Sequence, residues 1–277
     1  MNIILAMPGK QANQRRLWDW FIDAGLDQHT ALAFQANAKW HDQYPADLLA
    51  AHPDHDSIAH EQYNHTRVRL DDDYQPKPYA YTYLDYEPKK PHLTGPDSAW
   101  GWRKQEDGFS DDDTKVLAQM RRGVQEATDG LPFSIYRTPV LKSTKAPDPA
   151  IVKSARESLE PCEWVWMHAY PDRQLLHSTI GEWHDNLVRQ FGALSKLGRR
   201  VVPWVWPSHS LTTDQAAVYG AATIKSLTMI PGITHLGIWV DCQRETTTDR
   251  QIANLESMKP YLRQFVEHDA GEPQGTD

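Results

Sequence analysis

The chain has 277 residues, of which 40% are hydrophobic and 24% charged, a balance typical of a globular protein with a large core. The 29 Lys and Arg residues against 37 Asp and Glu residues give a net charge of -8, and the basic residues occur in pairs rather than in a cluster. This charge excludes nucleic acid as an expected partner. Because no run of the sequence approaches the roughly 20 apolar residues of a membrane span, we expect no membrane insertion either.

Seven short apolar or aromatic runs predict β-strands. They are residues 3–8, 30–35, 79–87, 133–140, 163–170, 201–207 and 236–241. Segments with helical spacing lie between them, at residues 15–24, 112–128, 148–159, 179–197, 213–229 and 249–267. The alternation of strand and helix predicts an α/β fold with a parallel sheet. Aromatic residues in the carboxyl halves of the strands favour closure into a single (β/α) barrel, TIM-like, of seven or eight strands.

The sequence indicates one domain over residues 1–268, with an irregular insertion around 41–75 and a disordered polar tail at 269–277. No GxGxxG or GxxxxGK[ST] motif follows a predicted strand, which argues against dinucleotide-binding and P-loop folds. The opening MNIILAMPGK lacks the features of a signal peptide, so we expect a cytoplasmic protein. Cys162 precedes one strand and Cys242 follows another, so we expect two reduced thiols at opposite ends of the barrel.

Two acidic residues close the strand at 79–87. Tyr83, Asp85 and Glu87 alternate along this strand and are therefore expected on one face. Pro88 ends the strand just after Glu87, and functional residues of (β/α) barrels stand at the carboxyl ends of strands. Because two neighbouring carboxylates do not both ionise freely, one is expected to stay protonated near neutral pH. Asp85 and Glu87 are thus candidate catalytic residues, the alternative being a solvated strand end.

Aromatic residues predict what such a site binds. The chain has 11 Trp, and many of its aromatic residues fall on or just after predicted strands. Aromatic faces with a polar N–H or O–H suit ligands that are half apolar and half hydroxyl, such as sugars. The candidates at the carboxyl ends of strands are Tyr136, Tyr170, Trp206 and Trp239, with Tyr83 beside the acids and Asp241 for sugar hydroxyls.

The segment LDYEP at 84–88 resembles the Asp-x-Glu strand end of the hyaluronidase family of glycoside hydrolases. VVPWVWPSHS at 201–210, a helix with YGAATIKSL, and HLGIWVD at 235–241 are similar in order and spacing to that family's last strands. The chitinase-like family shares the Asp-x-Glu ending, but Tyr83 stands where that family has a third acid. The lysozyme-type muramidases share the motif and an aromatic strand like EWVWMHAY at 163–170.

The resemblance to the hyaluronidase and chitinase-like families implies hydrolysis of N-acetylhexosamine-containing glycans with retention. Glu87 would protonate the glycosidic oxygen while the N-acetyl oxygen of the sugar attacks the anomeric carbon, a recognised departure from the two-carboxylate scheme. Asp85 would orient the acetamido group, and Tyr170 would bind its oxygen.

Three other readings stay open: a carbohydrate-binding barrel without catalysis, a muramidase-type hydrolase, and a metal-dependent barrel hydrolase. The last would need ligands from several strands, with His168 and Asp241 as candidates. The histidine-rich segment at 52–65 fits neither HExxH nor a zinc-finger spacing, so we expect no metal and no cofactor.

Overall fold

The computed structural model describes part of the chain. The described residues are 3–35, 44–51, 58–63, 81–86, 134–136, 164–169, 179–195, 200–207 and 213–268. Within this part, eight parallel strands form a closed barrel in the order β1 to β8. The predicted (β/α) barrel is thus confirmed, with eight strands.

The strands follow one another around the barrel in chain order. They are β1 (Ile3–Ala6), β2 (Thr30–Gln35), β3 (Ile58–Tyr63), β4 (Tyr81–Tyr86), β5 (Ser134–Tyr136), β6 (Trp164–His168), β7 (Arg200–Val205) and β8 (Leu236–Trp239). The barrel closes where β8 pairs with β1, with Ile3 opposite Leu236 and Ala6 opposite Trp239. All seven strands predicted from the sequence are present. β2 has the predicted bounds, β7 begins one residue earlier, and the other five are shorter than predicted.

Part of the segment 41–75 differs from the irregular insertion over the barrel that the sequence predicted. Instead, β3 lies within it and pairs with β2 on one side and β4 on the other. This strand has the sequence IAHEQY, and its polar residues resemble those of a loop, so no strand was predicted here. The predicted helices at 112–128 and 148–159 and the predicted disordered tail at 269–277 lie outside the described residues.

The described helices are α1 (Gln11–Asp23), α2 (Ala46–Ala51), α3 (Ile180–Ser195), α4 (Thr213–Leu227) and α5 (Glu245–His268), with a short 3-10 turn at Asp27–His29. Helix α3 begins with a capping box: the Glu182 N–H donates to Thr179 Oγ1 at 3.2 Å, and the Thr179 N–H donates to Glu182 Oε2 at 2.8 Å. None of the helices in the described ranges is long and apolar enough to cross a membrane.

Alternate strand residues divide between the helices and the inside of the barrel. Ile3, Leu5 and Met7 of the β1 region belong to the same apolar core as Leu17 and Phe21 of α1. The same core includes Val201, Val205, Leu236, Ile238 and Val240 from the β7 and β8 regions. The residues between them, such as Ile4, Trp204 and Gly237, therefore face the inside of the barrel.

Candidate functional site

Two tryptophans form an edge-to-face pair where β7 and β8 end. Trp206 directly follows β7 and Trp239 is the last residue of β8. Their ring centroids are 4.3 Å apart and their planes differ by 70°, so the two rings are in close edge-to-face contact. Both side chains are half-buried. Because Val205 and Ile238 face the helices, the two indoles lie on the inner side of the sheet, at the carboxyl-terminal mouth of the barrel.

A third tryptophan lies one layer deeper under this pair. Trp204 is 3% exposed and pairs in register with Gly237 of β8. A Cβ atom on residue 237 would lie 2.5 Å from Cδ2 of the Trp204 indole, so only glycine leaves room for this ring. A buried indole packed against a glycine thus lies below the two partly exposed indoles.

A buried glutamine connects this aromatic pair to α5. The Gln251 Oε1 atom accepts the indole N–H of Trp206 at 3.2 Å and the backbone N–H of Asp241 at 3.1 Å. Its Nε2 atom donates to the carbonyl oxygens of Asp241 at 3.0 Å and Thr247 at 3.2 Å. The side chain is fully buried. The ends of β7 and β8 are therefore held by one amide.

Asp241 follows β8 at the rim and is half-buried. Its Oδ1 atom accepts the backbone N–H of Gln243 at 2.9 Å, the local turn that aspartate commonly forms with the residue two positions on. One carboxylate oxygen thus orders the loop. The suggested contact between Asp241 and sugar hydroxyls stays a prediction that depends on its other oxygen.

Polar side chains also hold the mouth end of β1. The Met7 N–H donates to the Tyr44 hydroxyl at 3.3 Å, and Gln14 Nε2 donates to the Met7 carbonyl at 2.7 Å. Burial raises the pKa of Tyr44, so its hydroxyl stays protonated over the physiological range. Asn13 Nδ2 donates to the Cys242 carbonyl at 2.9 Å and ties α1 to the end of β8.

Cys242 lies in the seam between β1 and β8, where the residues that follow β1 contact the residues that follow β8. Its backbone N–H donates to the carbonyl oxygen of Pro8 at 2.9 Å. Gly9 has a φ of 144° and lies so close to Cys242 that a Cβ atom on residue 9 would overlap the Cys242 backbone. Burial raises the pKa of the Cys242 thiol to about 12, with hydrogen bonding to Thr248 opposing this rise. Cys242 is a free thiol after β8, as predicted. Cys162 lies outside the described residues, so the prediction of two free thiols stays open for it.

The structure describes some of the predicted site residues at the level of the backbone. Tyr83 and Asp85 lie in β4, where Asp85 is opposite Gln62 of β3 and Tyr136 of β5. In an eight-strand ring β4 is four strands from β8, so Asp85 belongs to the wall facing Trp239. Glu87 and Tyr170 lie outside the described residues. The roles predicted for all of these residues stay predictions.

Trp206 and Trp239 lie at strand ends as the sequence predicted, whereas nothing in the sequence motifs pointed to Gln251 or Tyr44. The signal for Gln251 was present in α5, whose buried residues begin with the polar Thr248, Gln251 and Asn254 and continue with Leu255, Met258 and Leu262. Polar residues on the buried face of a helix normally have specific partners. For the metal reading, no group of three or more His, Cys, Asp or Glu residues arranged to hold an ion occurs among the residues that the structure describes.

The sequence matches no protein-family model, and no curated protein matches it significantly. Solved structures do share the fold. A glycoside hydrolase family 5 enzyme from Prevotella bryantii, a mutant in complex with a xyloglucan tetradecasaccharide, matches with a TM-score of 0.51 and 10% identity over 94% of this chain and 96% of that chain. An endo-β-mannanase/endo-β-glucanase of the same organism matches with a TM-score of 0.51 and 11% identity over 94% of this chain and 48% of its own length.

These similarities define the class of architecture: a single-barrel α/β protein whose fold glycoside hydrolases of family 5 also have. At 10–11% identity they show the fold alone. These two neighbours are described as family 5 enzymes, so they do not support specifically the hyaluronidase family that the sequence motifs resemble.

Proposed function

We propose that this chain is a glycoside hydrolase that binds its substrate across the carboxyl-terminal mouth of the barrel. The observation that carries the proposal is the half-buried pair of Trp206 and Trp239 at this mouth. Functional sites of (β/α) barrels lie at this end, and sugar rings stack on exposed indole faces. A family 5 enzyme with this fold is in complex with a xyloglucan oligosaccharide, which supports carbohydrate as the ligand.

The proposed substrate is a glycan that contains N-acetylhexosamine, cleaved with retention through participation of the acetamido group. Glu87 donates a proton to the glycosidic oxygen while the acetamido oxygen attacks the anomeric carbon and the bond from that carbon to the glycosidic oxygen breaks. Water later breaks the new bond to the acetamido oxygen. Asp85, two residues earlier in the chain, orients the acetamido group. Support comes from the LDYEP motif and from the position of Asp85 in β4, on the wall facing Trp239. The scheme requires neither a metal nor a cofactor.

Product analysis on two substrate panels tests the proposal. One panel contains N-acetylated glycans: chitin oligosaccharides, hyaluronan and peptidoglycan. The other contains xyloglucan, β-glucan and β-mannan, the chemistry named for the structural neighbours. We expect cleavage of the first panel. Cleavage of the second panel alone would overturn the acetamido mechanism but keep the hydrolase, and binding without cleavage of either would favour a carbohydrate-binding barrel.

Glu87→Gln separates binding from catalysis, since the amide keeps the shape of the side chain but has no proton to donate. We expect turnover to fall by about 10²–10⁴-fold while glycan binding persists. Asp85→Asn is the matched variant: it removes the charge that keeps Glu87 protonated, so the limb of the pH profile set by the Glu87 proton moves to lower pH. Full turnover by Glu87→Gln on an unactivated substrate would contradict the assignment.

A further inference from the structure

The amide of Gln251 uses its whole hydrogen-bonding capacity. A primary amide has two acceptor positions on oxygen and two N–H donors. The oxygen accepts from the Trp206 indole and the Asp241 N–H, and the nitrogen donates to the carbonyls of Asp241 and Thr247. A flipped amide would direct its N–H groups at two other donors. The orientation of the side chain is therefore fixed by its partners.

This arrangement restricts the orientation of the Trp206 indole. The indole contacts Trp239 on one side, and its N–H is held by Gln251 on the other. The same amide holds both the N–H and the carbonyl of Asp241, which follows the strand that carries Trp239. Rotation of the Trp206 ring or displacement of the β8 end would each break a part-buried hydrogen bond to Gln251.

We propose that Gln251 is a positioning residue for glycan binding, which acts by holding Trp206 and the end of β8 in the geometry that a sugar ring contacts. The inference rests on the proposed function, since it assumes that the tryptophan pair binds sugar. A platform that is ordered before binding loses less conformational freedom when the ligand arrives. Gln251 touches no substrate in this role.

The main test variant is Gln251→Met, which keeps the length of the side chain but removes all four hydrogen bonds. With the glycan that wild type binds best in the two panels, we expect an affinity loss of about 3- to 10-fold, the value of one or two neutral hydrogen bonds. KM should rise by this factor with little change in kcat, because the platform contacts substrate and transition state alike. The indole N–H resonance of Trp206 should shift in the NMR spectrum without any sugar present.

Thr223→Val is the matched control. The Thr223 hydroxyl accepts the indole N–H of Trp183 at 2.9 Å, between helices α3 and α4. This variant also leaves a buried indole without its acceptor. We expect it to lower stability while glycan affinity stays at the wild-type value. An equal affinity loss in both variants would overturn the inference, because the effect would then be general destabilisation.

A double-mutant cycle with Trp206→Phe tests the route of the effect, since phenylalanine has no N–H for Gln251 to accept. Gln251→Met should reduce affinity less in this background than in wild type. An equal loss in both backgrounds would overturn the role assigned to the indole bond.

Gln251→Glu serves if Gln251→Met does not fold. Its protonated acid supplies a carbonyl oxygen and one O–H donor, whereas its carboxylate faces the carbonyls of Asp241 and Thr247 without a donor. Relative to wild type, its glycan affinity should be retained at acidic pH and lost as pH rises. A pH-independent ratio to wild type would contradict the proposal.

The two possible failures are distinguishable. If wild type binds no glycan of either panel, the proposed function fails and this inference with it. If wild type binds and Gln251→Met binds equally well, the inference alone is overturned.

Discussion

Along β7 and β8, the side chains that face the helices differ in kind from those at the mouth of the barrel. The helix side has aliphatic residues such as Val201, Val205 and Ile238 within one continuous apolar core. The mouth side has Trp204 against Gly237, then the partly exposed indoles of Trp206 and Trp239, of which the Trp206 indole donates to the amide of Gln251. Apolar packing supplies most of the folding free energy, whereas directional hydrogen bonds fix the orientation of particular groups. Along these two strands, the helix-facing residues thus contribute mainly to the stability of the fold, and the residues at the mouth mainly to the orientation of the site.

The largest effect is expected from Phe21→Ala on the helix side. Phe21 is fully buried in α1 and packs edge-on against Trp20, with ring centroids 5.2 Å apart. Removing a buried aromatic ring leaves a cavity and should lower the free energy of unfolding by about 3–5 kcal/mol in a denaturant titration. Glycan affinity of the folded variant should match wild type. A loss of affinity comparable to that of Gln251→Met would show that the two sides are not separate.

A smaller effect on stability but a direct effect on the mouth is expected from Gly237→Ala. The new methyl group would overlap the Trp204 indole, which has to move within the barrel. Overpacking of this kind typically costs about 1–3 kcal/mol. The displaced ring lies below Trp206 and Trp239, so the near-ultraviolet circular dichroism should change and glycan affinity should fall.

Gly220→Ala in α4 is the matched substitution on the helix side. Its methyl group would meet the end of the flexible Met258 side chain, which can move aside, and alanine favours the helix. We expect a smaller loss of stability and an unchanged spectrum of the tryptophans at the mouth. If Gly220→Ala altered glycan affinity as much as Gly237→Ala, the glycine at the mouth would have no special role.

The difference between apolar and polar strands also explains which strands could be predicted from the sequence. Strands such as β1 and β7 are apolar runs bounded by polar segments, so their positions were recognisable. β3 contains His60, Glu61 and Gln62 in succession, and parallel strands are normally recognised as apolar runs, so no local pattern indicated it. Its place is set by its pairing with β2 and β4.

Within the candidate site, the sequence predicted residues that stand at strand ends and missed those that support them from elsewhere. Trp206 and Trp239 were recognisable because their strands were. Gln251 is ten residues beyond Asp241 on a helix, and Tyr44 is 37 residues beyond Met7, so their hydrogen bonds depend on how the whole barrel closes. A buried polar residue in a helix indicates a partner but does not identify it.

The smallest expected effect concerns the seam between β1 and β8, and it depends on pH. The pKa of the Cys242 thiol is raised by burial from its ordinary value of 9.0 to about 12 in the folded protein. The unfolded chain therefore releases this proton first as pH rises. The associated stability is fully present below about pH 9 and is lost progressively between about pH 9 and pH 12. By pH 10 the loss from this group should be about 1 kcal/mol.

Cys242→Ala removes this titration, while Tyr44 is present in both proteins. Denaturant midpoints should thus fall less steeply between pH 8 and pH 10, about one unit on either side of the ordinary thiol pKa, in the variant than in wild type. The variant should be the less stable protein at pH 7, because a small cavity replaces the sulfur, and the two stability curves should converge as pH rises. Parallel curves would mean that the thiol of Cys242 is ionised as easily in the folded protein as in the unfolded chain, and that the seam between β1 and β8 is open to water.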